Sequence, residues 1–95
     1  MRTGGVKEEM MGDKRLKVYG GSCLFHKGRQ YRVVVAAPSQ AAAGRAFHVS
    51  LHYFREYCGQ TFNDDEVLAA LSDPGTVWAE VGGKMKPWSW VKENL

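Results

Sequence analysis

The two cysteines and three histidines are the residues best suited to metal or nucleophilic chemistry. Cys23 and His26 form a Cys-x-x-His spacing, and His48 and His52 are four residues apart, which suggests zinc because thiolate and imidazole are its preferred ligands. The order is inverted and the spacing stretched relative to zinc fingers, and no motif supplies an orienting carboxylate or an oxyanion hole. We therefore expect no metal, no cofactor and no enzymatic activity.

The lysines and arginines form a second set of residues that could bind a partner. The 95 residues carry a net charge of +3, but residues 14–55 contain eight basic and no acidic residues, whereas residues 56–83 contain six acidic and no basic residues. Such asymmetry predicts a polarised surface and an anionic partner. The acids of Asp64–Glu66 are explained by the start of a helix, where they suit the macrodipole.

A basic β-hairpin is predicted to present part of this charge. Residues 17–25 and 30–35 are rich in β-branched and aromatic residues, and residues 26–29 form a turn with glycine placed for a positive φ. Gly20 and Gly21 predict a bulge or kink in the first strand.

Helices are predicted after the hairpin. Ser39 caps a helix to about Phe47, Ser50 caps a second that stops near Gly59, and Asn63 or Asp64 caps a third. A strand over 76–81 and an extended aromatic segment over 86–90 follow. The sequence predicts an α+β fold in which a small antiparallel sheet, made of the hairpin and a C-terminal strand, packs with three short helices. Residues 1–13 are expected to be a flexible arm and residues 14–95 a single domain.

The first two helices have the apolar spacing of a known motif. With the turn placed at His48, small Gly44 occupies the close-approach position, and the positions that lock the helices are Ala43, Phe47, Val49, Phe54 and Tyr57. Residues 39–58 resemble the helix-turn-helix of DNA-binding proteins. The hairpin and helix pair together resemble modular DNA-binding repeats at the tails of intron-encoded nucleases, and small uncharacterised bacteriophage proteins.

This resemblance implies a set of nucleic-acid or anion contacts. The second helix would approach the major groove with His52 and Arg55 toward the base edges, while amides after Ser50 donate hydrogen bonds to a phosphate. Phosphate contacts that set the register would come from Lys27, Arg29, Arg32 and Arg45. Alternatively, the helix pair only packs the core and the basic residues only solubilise the chain.

Tryptophans provide the other candidate surface. Trp88 and Trp90 are two residues apart on the predicted extended segment and would face the same side, toward a second copy of the chain. The alternative is that they cover one end of the sheet.

The expected function is a small, non-enzymatic DNA-binding protein of phage type. The rival is a phage inhibitor or scavenger that binds an acidic host-protein surface or a small anionic nucleotide, and a homodimer or higher oligomer using the tryptophans is third. No apolar run approaches the roughly 20 residues needed to span a bilayer, and no secretory signal is seen. We expect a cytoplasmic protein without membrane contact, whose two cysteines are reduced rather than paired.

Overall fold

The computed structural model describes residues 16–95, so the predicted N-terminal arm lies outside the described residues. Nine elements follow one another in this part of the chain: β1 Lys17–His26, β2 Arg29–Ala37, α1 Gln40–Ala46, α2 Leu51–Tyr57, β3 Cys58–Gln60, α3 Asp64–Ser72, β4 Trp78–Val81, β5 Lys84–Pro87 and α4 Trp88–Asn94. The strands form one antiparallel sheet in the order β3-β1-β2-β4-β5. The α+β fold expected from the sequence is confirmed.

The β1–β2 hairpin has the turn and the bulge that the glycines predict. Lys27 and Gly28 both have positive φ, 52° and 80°. A two-residue turn with these angles matches the right-handed twist of the two strands that it connects. The register shifts between Gly21 and Leu24, where two residues of β1 oppose one residue of β2.

Strand β2 is buried on both faces of the sheet. Val33, Val35 and Ala37 pack with α1, α2 and α4 on one face, which we call the helix-pair face. Val34 and Ala36 pack under α3 on the other, the α3 face. The unbroken apolar run of β2 follows from this double burial, since a half-buried strand would alternate.

The segment predicted to be extended after β4 is different in the structure. Gly82 and Gly83, with φ of 60° and 84°, make a second two-residue turn into β5, and α4 begins at Trp88. Trp88 and Trp90 lie in the first turn of α4, where residues two apart point about 200° from one another, and not on an extended segment. The prediction of an extended tryptophan segment is therefore wrong.

Both tryptophans pack partly against the core of their own chain. The Trp88 ring lies edge-on to Tyr31, with centroids 5.6 Å apart, and Lys86 Nζ lies 4.9 Å from the Trp90 ring centroid. In this arrangement they cover one end of the sheet, and a contact with a second copy stays a prediction.

Candidate nucleic-acid interface

The turn between α1 and α2 is closed by two backbone hydrogen bonds. Val49 N–H donates to Gly44 O at 2.9 Å and His48 N–H donates to Arg45 O at 3.0 Å. This is the pattern that ends helices at a left-handed residue, and His48 is that residue, with a φ of 61°. Histidine thus adopts the conformation for which glycine is preferred, at the position where the sequence places the pivot.

Aromatic stacking and a close approach hold the two helices together. The Phe47 and Phe54 rings are stacked with centroids 6.2 Å apart, and both side chains are fully buried, as is Ala43. A Cβ at Gly44 would lie 3.3 Å from Val49 O, so a small residue is needed there.

Tyr57 does not lock the pair as the sequence predicts. It is 66% exposed and its ring lies against Tyr53, with centroids 4.7 Å apart. Tyr53 itself packs partly against the core, so Tyr57 extends this aromatic contact from the core edge toward solvent.

Serines begin both helices. Ser39 Oγ accepts from Ala42 N–H at 3.1 Å, and Ser50 Oγ accepts from Tyr53 N–H at 3.0 Å. Because Ser50 satisfies the Tyr53 amide, one of the amides predicted to receive a phosphate already has a partner. The main role of Ser50 is to start α2.

The solvent side of the helix pair carries polar and charged side chains one turn apart. His52, Arg55 and Glu56 are exposed on α2, and Arg45 is exposed in the last turn of α1. Across residues 16–95, the single ion pair joins Arg32 to Glu66, so Arg45 and Arg55 have no carboxylate partner in that part of the chain.

Arg32 lies on the α3 face, away from the other residues that the sequence predicts to contact phosphates. Its Nε and Nη2 donate to the two carboxylate oxygens of Glu66 at 2.7 and 3.1 Å, and Thr61 Oγ1 donates to the same carboxylate at 2.7 Å. The hydrogen bonds from Arg32 hold the pKa of Glu66 below its ordinary value, against the effect of burial. The pair fastens α3 to β2.

The turn of the β1–β2 hairpin holds the remaining predicted cations. Lys27 Nζ donates to the Leu95 carbonyl at 2.8 Å, which engages it with the end of α4. The Arg29 guanidinium lies 5.4 Å from the ring centroid of Tyr31, on the helix-pair face. Arg29 is thus the more available of the two.

The hairpin turn is separated from the helix pair. Phe54 of α2 packs edge-on against Tyr19, with centroids 5.6 Å apart, and Tyr19 pairs with Val35. Arg29 lies six residues before Val35 in β2, a distance of roughly 20 Å at the rise per residue of a strand. The predicted basic set therefore divides into three: Arg45, His52 and Arg55 on the helix pair, Lys27 and Arg29 at the hairpin turn, and Arg32 on the opposite face.

Acidic residues gather on the α3 face. Glu80 of β4 and Asp65 and Glu66 of α3 line a cleft of about 140 Å³, together with Asn63, Gly83 and Met85. Within residues 16–95 no group of three or more His, Cys, Asp or Glu side chains is arranged to hold a metal ion. The sheet thus stands between this acidic cleft and the cations of the helix pair.

None of the helices described between residues 16 and 95 has the length and apolar character required to cross a membrane. Comparisons with protein-family models, curated proteins and solved structures found no match to this chain.

Proposed function

We propose that this protein binds duplex DNA through the exposed surfaces of helices α1 and α2. The observation that carries the proposal is the separation of charge by the sheet. The exposed cations Arg45 and Arg55 lie on one side without carboxylate partners among residues 16–95, while the acidic cleft lies on the other. These two arginines would attract the phosphates of a duplex that approaches the helix pair, and the duplex would lie away from most of the acidic residues.

Helix α2 supplies the contacts to bases in this proposal. His52 and Arg55 are exposed one turn apart, and an arginine donates two parallel hydrogen bonds to the O6 and N7 atoms of guanine. Arg45 would contact a phosphate beside the groove, and Arg29, roughly 20 Å away along the hairpin, would contact the backbone further along the duplex. Glu56 weakens the phosphate contacts closest to α2, which limits the affinity.

We expect Arg45→Ala and Arg55→Ala each to weaken binding of a short duplex. Each should also reduce the slope of log K against log [salt] by about 1 when the lost contact is to a phosphate. The measurement is fluorescence anisotropy of a labelled duplex from low to physiological salt. Lys84→Ala is the matched control, because it removes an exposed cation from β5, at the far edge of the sheet.

Equal affinities and slopes for the two arginine variants and the control would contradict the proposal. So would the absence of duplex binding at micromolar protein and low salt.

An acidic protein surface is the second candidate partner. The exposed Tyr57, which lies against Tyr53 on the same helix as Arg55, favours it because tyrosine and arginine are enriched at protein interfaces. A competition experiment between a duplex and an acidic polypeptide of similar total charge distinguishes the two candidate partners. DNA binding predicts that the duplex wins and that Tyr57→Ala has little effect, whereas a protein partner predicts the reverse.

A further inference from the structure

The two cysteines meet where the short strand β3 joins the sheet. Cys58 pairs with Gly21 of β1, and a Cβ built on Gly21 would lie 2.5 Å from Cys58 Sγ. The sulfur of Cys58 therefore fills the space left by the missing side chain. Cys23 follows on β1 inside the bulge, and both cysteines pack against the core of the helix-pair face.

The two thiols are unbonded and close enough to influence each other. Burial, and after it the charge on Cys58 and a hydrogen bond with Cys58, raise the pKa of Cys23 to about 12. Burial also raises the pKa of Cys58, but a hydrogen bond from Cys23 and the charge of Arg32 act against that effect. Cys58 is also the more exposed of the two, so its thiolate is the one that meets a reagent from solvent.

We propose that Cys23 and Cys58 form a redox modification site, at which a peroxide converts the two thiols into a disulfide between β1 and β3. The Cys58 thiolate attacks one oxygen of the peroxide, the O–O bond breaks, and Cys58 becomes a sulfenic acid with release of hydroxide or alkoxide. The Cys23 sulfur then attacks the Cys58 sulfur, the S–O bond breaks, and water leaves with the proton of Cys23. Two thiols are oxidised and one peroxide is reduced.

The disulfide would change the attachment of β3. This edge strand has only three residues, Cys58–Gln60, and α2 ends immediately before it at Tyr57. A covalent bond to β1 would hold the end of α2 to the sheet without using any residue of the proposed DNA contacts. Disulfide formation therefore does not depend on DNA binding.

The primary experiment treats the wild-type protein with hydrogen peroxide and follows free thiols and intact mass without reductant. We expect monomeric protein that loses both thiols and two hydrogen atoms, and whose digest contains one peptide pair linking Cys23 to Cys58. Dithiothreitol should restore both thiols. Because the attacking species is a thiolate of raised pKa, the reaction should accelerate with pH through the range from 7 to 9.

Single-cysteine variants supply the matched controls. In Cys23→Ala, Cys58 should accumulate as a sulfenic acid that dimedone traps, and in Cys58→Ala the buried Cys23 should react more slowly than Cys58 does. Peptide mapping of the wild type tests the proposal even if a variant fails to fold. Oxidation of the wild type to sulfinic or sulfonic acids without the linked peptide, or only to intermolecular disulfides, would overturn it.

Discussion

Among single residues, His48 adopts an unfavourable backbone conformation where the chain turns from α1 to α2. Its left-handed conformation is costly for any residue with a Cβ, by about 1 kcal/mol, yet it closes α1 and directs the chain into α2. The orientation of α2 relative to α1 thus depends on one strained residue.

We expect His48→Gly to raise the free energy of unfolding by about 0.5–1 kcal/mol, because relief of strain exceeds the greater entropy of glycine in the unfolded chain. Urea denaturation measures the change. His52→Gly is the control: the same replacement inside α2 should cost about 1 kcal/mol. Destabilisation by both variants would show that the His48 turn carries no strain.

Glu66 gives stability a dependence on pH. Arg32 lowers its folded-state pKa below the ordinary 4.5, so the stabilisation is fully present above about pH 4.5 and is lost as the pH falls through the folded-state pKa. We expect Glu66→Gln to cost about 1–2 kcal/mol at pH 7, after allowing for solvent screening of the half-exposed Arg32. Urea denaturation at several pH values should show the difference from wild type shrinking as the pH falls below about 4.5.

The neighbouring Glu80 is the control for this pair. It lies near Arg32 without a hydrogen bond to it, so Glu80→Gln should change stability little. Both variants should leave duplex affinity nearly unchanged, since both residues lie on the α3 face. A pH-independent cost for Glu66→Gln would contradict the assigned ion pair.

At the scale of elements, Gly44 controls how closely α1 and α2 approach. Gly44→Val should destabilise the fold by about 1–3 kcal/mol, because added carbon atoms press on the Val49 carbonyl and the Phe54 side chain. It should also weaken duplex binding by displacing α2. Thermal and urea denaturation measure the first effect and fluorescence anisotropy the second.

Gly59 is the matched control, because nothing lies within 4 Å of a Cβ built there. Gly59→Val should leave both stability and duplex affinity close to wild type. If Gly44→Val behaved in the same way, the close packing of the helix pair would be refuted.

The elements that sequence patterns predict are those with local signals. The hairpin turn has its glycine, and the first three helices have Ser39, Ser50 and Asn63 as caps, each accepting an amide hydrogen bond. No local signal predicts helix α4, because it starts after Pro87 without a side-chain cap. Strand β3 also lacks a local signal, because its three residues are ordered by pairing with β1, which is distant in sequence.

At the scale of the whole molecule, the sheet turns a charge pattern along the chain into a charge pattern in space. Basic residues of the hairpin and helix pair precede the acidic ones of α3 and β4 in the sequence. Because α3 crosses to the opposite face, most of the acids move away from α1 and α2. The proposed DNA binding depends on this arrangement of the whole molecule, since no single side chain implies it.

Local sequence signals specify where the hairpin, its bulge and the first three helices form, and the order of charged residues makes the charge uneven along the chain. These features arise from turn glycines, serine and asparagine caps and residue counts, which act over a few positions. Which cations remain available for a partner depends on long-range contacts. Arg32 meets a carboxylate 34 residues later in the chain, Lys27 a carbonyl 68 residues later, and Cys23 a second thiol on another strand. Such pairings depend on strand order and on the face to which each helix packs, and no local pattern encodes either.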